Sequence, residues 1–234
     1  MSDFQFYPVM FSTRLWSEAV VLRFSEQILQ HREHIYHYTM TEGLKGIVET
    51  NSLWATSAYY LNDTSEIEYG CRLAIKILDQ NFSEASSGFA KMALHHAGTI
   101  LGDPSQREVR ASTIYVTCFC ESDNLLSQWR AYGHSGGFSV RFRSRELRFL
   151  APEHITAAVG KVLYEKDDQI NLLRDMVAAA VSVLGDTSVV RGYDNAASSD
   201  SVREAGEIIA QVLLSMVTCF KAPDFREEQE WRLV

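Results

Sequence analysis

The sequence predicts an α+β domain, and three observations carry that prediction. The chain has 234 residues, 46% of them apolar, enough for one large core or two small ones. Helix-period and strand-period stretches are mixed without the strict alternation of a doubly wound parallel sheet. No dinucleotide glycine fingerprint is present, nor a phosphate loop ending in Gly-Lys-Ser/Thr; Gly133 to Gly137 is too irregular to count as either.

The elements follow in order. Leu15, Ala19, Leu22 and Ile28-Leu29 recur at near-helical spacing and predict a helix over 14–31. We read residues 1–34 as an N-terminal helical segment packed on a domain spanning 35–234. Ile35-Tyr36-His37-Tyr38-Thr39 is aromatic and β-branched, hence a strand. Thr41 is placed to cap a helix carrying Leu44, Ile47 and Val48. Leu53 to Thr56 reads as a short strand. Asp63 with Glu66 forms a capping-box pattern, opening a helix through Tyr69, Leu73 and Ile77 to about Gln80.

A helix over 84–101 is stopped by Gly102-Asp103-Pro104. Thr113 to Cys120 is the clearest strand, apolar on both faces and so expected at the sheet centre. Leu125 to Tyr132 is a short helix, Phe138 to Phe142 a strand, and Val159 to Tyr164 another. Asp167 is placed to cap a helix over 168–184. Gly185 to Asp200, rich in Gly, Ser, Asn and Asp, reads as a loop. A helix from Val202 to about Cys219 ends before Pro223, and Glu228 to Val234 reads as a final strand.

Bulk properties exclude several classes. A net charge of -8 argues against a broad nucleic-acid-coating surface, though a local basic groove is compatible with it. No apolar run is long enough for a membrane span, and Met1-Ser2-Asp3-Phe4 lacks the basic start of a secretory signal. Cys118 and Cys120 are separated by one residue, which is neither zinc nor redox spacing. The expectation is a cytoplasmic protein with reduced thiols, no metal site and no membrane contact.

Five groups are candidates for chemistry. His37 and Tyr38 put polar tips in an apolar strand, and each buried tip needs a partner. They point into a nucleotide-sized cleft, or else the imidazole simply bonds a backbone carbonyl. Glu228 and Glu230 lie two apart, on one face of a strand, where like charges need a cationic answer. Asn62-Asp63 caps a helix or borders the cleft. Trp129 and Tyr132 share a helix face and read as core, with Gln128 and Arg130 on other faces. Arg141, Arg143 and Arg145 suit phosphate by their guanidinium forks, or form a solvated strand edge. His95-His96 lack a third ligand in register and read as surface residues.

Taken in order, these stretches resemble a known family. They are the His37-Tyr38-Thr39 strand; Leu61-Asn62-Asp63 with Glu66; Cys118-Phe119-Cys120-Glu121 leading to Leu126, Trp129 and Tyr132; and Lys221 with Glu228-Gln229-Glu230-Trp231-Arg232. The pattern resembles the bacterial domain-of-unknown-function 2971 family over residues 35–234. That family is distantly similar to ADP-ribosyltransferases of the His-Tyr-Glu type. The resemblance implies a split, mostly antiparallel β-sheet surrounded by helices and cradling NAD. It implies that His37 holds the adenosine-side ribose, with Tyr38, Thr39 and Asn62 beside it. Tyr69, with Tyr60 as the alternative, would sandwich the nicotinamide. Glu230 would steady the ribosyl cation, supported by Glu228. The implied activity is NAD-dependent ADP-ribosyl transfer to a macromolecular acceptor, protein or nucleic acid. The implied setting is a bacterial toxin or antiphage effector with a cognate antitoxin or inhibitor. An NAD glycohydrolase, or a non-catalytic nucleotide- or nucleic-acid-binding module of the same fold, is the alternative.

Overall fold

The computed structural model describes residues 32–61, 64–85, 87–133, 136–147, 157–185 and 199–234, with 5–6, 12, 14–15 and 190–191. Its strands and helices in chain order are β1 (Gln5–Phe6), β2 (His34–Met40), α1 (Thr41–Thr50), β3 (Thr56–Ser57), α2 (Thr64–Glu84), α3 (Gly88–Gly102) and α4 (Pro104–Ala111). Then come β4 (Tyr115–Cys120), α5 (Leu126–Tyr132), β5 (Gly137–Arg143), α6 (Ser144–Leu147), β6 (Val159–Lys161), α7 (Lys166–Gly185), β7 (Val190–Arg191), α8 (Ser199–Val217) and β8 (Glu230–Leu233). Short 3-10 segments cover Ala58–Tyr60 and Pro223–Glu228.

The fold is α+β, with an open antiparallel sheet flanked by helices. Five strands run β5-β2-β4-β8-β6, and β3 pairs with the start of β4. β4 is central, as its apolar composition predicts. β2 and β5 pair along their whole length, from His34↔Arg143 to Met40↔Gly137. β2 and β4 instead meet at one register pair, Tyr36↔Cys120, and then part. β1 and β7 form a separate two-stranded ribbon.

Two cores sandwich the sheet. The larger joins α2, α3, α7 and α8 through residues such as Leu78, Leu94, Leu173 and Leu213. The smaller packs Ile35, Phe119, Leu147, Val159 and Trp231 on the other face. Strand alternation explains the division: Trp231 enters the small core, while Glu230 and Arg232 face the opposite way.

Several boundaries differ from the sequence expectation. Pro104 stops one helix and starts another, because Asp103 caps α4 by accepting from the amides of Ser105 (2.8 Å) and Gln106 (3.2 Å). Proline is tolerated at a first helical position, where its missing N–H goes unused. Asp167 lies inside the first turn of α7 rather than capping it. α2 continues to Glu84, and the strand expected at 53–56 is instead Thr56–Ser57. Glu228 belongs to a 3-10 turn, not to the last strand. Most of the predicted 14–31 helix, and Asn62-Asp63, lie outside the described residues. So does most of the Gly185–Asp200 loop, whose last two residues open α8.

α3 and α8 approach closely at Gly206, where a Cβ would sit 2.8 Å from His96 Cβ and 2.9 Å from the Ala93 carbonyl oxygen. Gly206→Ala is therefore expected to destabilise the protein by about 1–3 kcal/mol, the usual cost of overpacking, outweighing alanine's better helix propensity. Urea unfolding of the two proteins measures this.

Candidate functional site

The site begins where β2 and β4 part. The His37 ring sits in that gap, with Nδ1 2.9 Å from the Cys118 carbonyl. A carbonyl only accepts, so Nδ1 carries the proton and the neutral ring presents Nε2 as an acceptor. Burial lowers the His37 pKa, partly offset by that same bond, which keeps the ring neutral near pH 7. His37 thus bonds a backbone carbonyl, as one sequence reading has it, and its ring also lines a cavity. Tyr38 ties β2 to the chain after β4, donating to Ser122 O (2.9 Å) and accepting from Leu125 N (2.8 Å).

Below the gap lies a cavity of about 370 Å³, bordered by His37, Tyr38, Cys118, α5, Lys221 and the β8 charges. Its volume is at the lower end of small-molecule sites, ~300–1,000 Å³. Glu230 is buried there. Its carboxylate accepts from Arg232 Nε (2.8 Å) and Nη2 (3.1 Å), and pairs with Lys221 Nζ at 2.9 Å. Lys221 also bonds Glu228, and Arg232 donates to the Thr218 carbonyl. Glu66 of α2 stands 3.9 Å from Arg232. Among the described charges lining the cavity, three carboxylates face two cations, leaving one negative charge in excess.

Burial alone would push the Glu230 carboxyl up, but Arg232 and Lys221 outweigh it and hold it down to about 2. Burial opposes the Lys221 charge, yet Glu230 and Glu228 keep its pKa above the usual lysine range. Desolvation, reinforced by the Glu230 charge, pushes the Cys120 thiol up to about 12 and Cys118 well above its ordinary value. Neither thiol is a nucleophile near neutrality.

The structure gathers some predicted site residues and scatters others. His37, Tyr38, Glu228 and Glu230 all border the cavity. Thr39 does not: its side chain lies against Gly43 under α1. Tyr60 is largely exposed, edge-on to Tyr59. Tyr69 points away and donates to Gln169 Oε1 at 3.2 Å. Asn62 lies outside the described residues. Glu228 and Glu230 do converge, but through the turn and the left-handed Gln229 (φ 47) between them rather than by strand alternation. The residue that alternation does bring beside Glu230 is Arg232, a pairing legible in Glu-Trp-Arg.

α5 was expected to add Trp129 and Tyr132 to the core. Instead Trp129 packs edge-on against Tyr38 at 5.0 Å, and Ser127, Gln128, Ala131 and Tyr132 face the cavity. Arg141, Arg143 and Arg145 are exposed on edge strand β5 and in α6, with Arg143 bonded to Glu146 at 3.1 Å.

Residues 128–233 match the family described as protein of unknown function (DUF2971). This is the family that the ordered motifs resemble. The DUF2971 match runs from α5 to β8, so it spans Lys221, Glu228, Glu230 and Arg232 but not His37. No curated protein and no solved structure matches the chain. Among the described residues, no group of three metal-ligating side chains occurs, and no helix is long and apolar enough to cross a membrane.

Two outcomes follow for the charge cluster. Glu230→Gln should destabilise by about 3–5 kcal/mol, because it removes one partner of a buried ion pair. The second concerns acid. The folded Glu230 carboxyl titrates below an ordinary glutamate (~4.3), so its stabilisation is complete above that value. It is lost as pH falls toward about 2. Urea midpoints measured across this window should fall in the wild type, and less steeply in Glu230→Gln.

Proposed function

We propose that the cavity binds NAD and that Glu230 assists cleavage of the nicotinamide–ribose bond, passing ADP-ribose to a macromolecular acceptor. The observation supporting this is the convergence of the His37 imidazole and the Glu230 carboxylate, distant in sequence, on one cavity at a gap in an antiparallel sheet. In this reaction nicotinamide leaves with the bonding electron pair and positive charge develops on the ribose. An acceptor nucleophile then forms the new bond and loses its proton. A buried anion preorganised beside the ribose stabilises that charge more in the transition state than in the ground state. The excess negative charge of the cavity acts in the same sense. A carboxylate has about four lone-pair sites, so three bonds from Arg232 and Lys221 leave room for a ribose hydroxyl on Glu230. By analogy with ADP-ribosyltransferases of the His-Tyr-Glu type, the proposed role is that of a bacterial toxin or antiphage effector with a cognate inhibitor.

One observation favours a second reading, a nucleotide-binding module without catalysis. Both oxygens of Glu230 are held by cations, which weakens its pull on a developing positive charge.

The test incubates the protein with radiolabelled NAD and a cell lysate. Wild type should transfer label to macromolecules. Glu230→Gln, used where circular dichroism shows it folded, should be slower by about 10²–10³-fold, equivalent to roughly 2.7–4 kcal/mol. Equal labelling by both would remove Glu230 from the reaction. Binding without NAD loss would establish the second reading, and free ADP-ribose without labelled acceptor would make the protein a glycohydrolase.

A further inference from the structure

The two walls of the cavity differ in what they have left to offer a ligand. On the charged wall, the donors are already engaged. Lys221 bonds two carboxylates, Arg232 bonds Glu230 and the Thr218 carbonyl, and the Glu230 amide donates to Tyr164 Oη at 2.9 Å. Diverting these groups to a ligand would strand buried charge, which is costly.

The α5 wall is the reverse. Ser127, Gln128, Ala131 and Tyr132 fall on one side of the helix and line the cavity. The Ser127 hydroxyl, the Gln128 carboxamide and the Tyr132 hydroxyl hydrogen-bond to no other residue among those described. The helix itself is firmly held. Trp129 packs on Tyr38 and donates from Nε1 to Asn124 Oδ1 at 3.1 Å, and the Leu125 amide donates to Tyr38 Oη. Unspent polar groups on a fixed support favour selective binding, because no internal bond is broken and little is reordered.

We propose that Gln128, with Tyr132 and Ser127 beside it, is the specificity-determining residue of the cavity. It reads a planar group that presents a hydrogen-bond donor next to an acceptor. A carboxamide carries that same pair, so it is complementary to another primary carboxamide or to an adenine edge. The inference rests on reading the cavity as an NAD site. NAD offers both sources, a nicotinamide carboxamide at one end and adenine at the other.

Calorimetric titration separates them. The probes are NAD, its nicotinic acid analogue and ADP-ribose, each against wild type, Gln128→Met and Tyr132→Phe. Gln128→Met removes no hydrogen bond to a described residue, so its unfolding midpoint should match wild type. Its affinity for NAD should fall about tenfold, the scale of one well-placed hydrogen bond to a ligand. If Gln128 reads nicotinamide, ADP-ribose binding is unchanged and the preference for NAD over its acid analogue disappears in Gln128→Met. If it reads adenine, all three ligands weaken together. Tyr132→Phe should show a smaller loss in the same pattern. Wild-type binding of all three ligands by Gln128→Met would overturn the inference while leaving the NAD reading in place. Failure of wild type itself to bind NAD would remove both.

Discussion

A carboxylate buried in the sheet must be neutralised where it stands, and Glu230 organises its surroundings accordingly. Arg232 answers from two residues along the same strand, reaching the same face. Lys221 answers from another segment, and holding it there takes further structure. The chain around Leu163 runs beside Cys219 to Lys221, exchanging backbone hydrogen bonds of 2.8 and 3.1 Å. The buried Gln169 side chain closes this seam, donating to the carbonyls of Leu163 (2.8 Å) and Lys221 (3.1 Å). Tyr69 then satisfies the Gln169 oxygen. The tyrosine expected to meet the substrate thus helps to position the lysine that holds Glu230.

The gap between β2 and β4 is the second constraint. A continuous ladder there would have closed the face that now opens as a cavity. The His37 ring bonds the Cys118 carbonyl, and Tyr38 holds the chain leading into α5. On the far face Glu121 collects Arg32 (2.8 Å), Lys161 (2.8 Å) and the Trp231 indole (3.0 Å), tying β4 to its neighbours. The sheet therefore stays joined on the small-core side while it opens beneath α5.

Much of the fold was legible in the sequence because it follows from local periodicity. The β-branched run before Cys120 became the central strand, and the spacing of Tyr69, Leu73 and Ile77 became α2. The misplaced tyrosines share a cause. A motif shows which residue types occur, but not which of two faces meets which neighbour. Tyr69 and Tyr132 are both tyrosines on short-period helices. Only packing sent the first to Gln169 and left the second on the cavity.

Residue order alone specifies an α+β chain, an early His-Tyr strand and a late Glu-Trp-Arg strand whose alternation separates an apolar side chain from two charges. These depend on contacts or periodicities within a few residues. Packing of the folded chain brings His37 and Glu230 to one cavity, lets Lys221 join Glu228 to Glu230, and turns Gln128 of α5 toward that cavity. Each of these depends on a register or a packing angle between elements far apart in the chain, and no local pattern encodes such a distance.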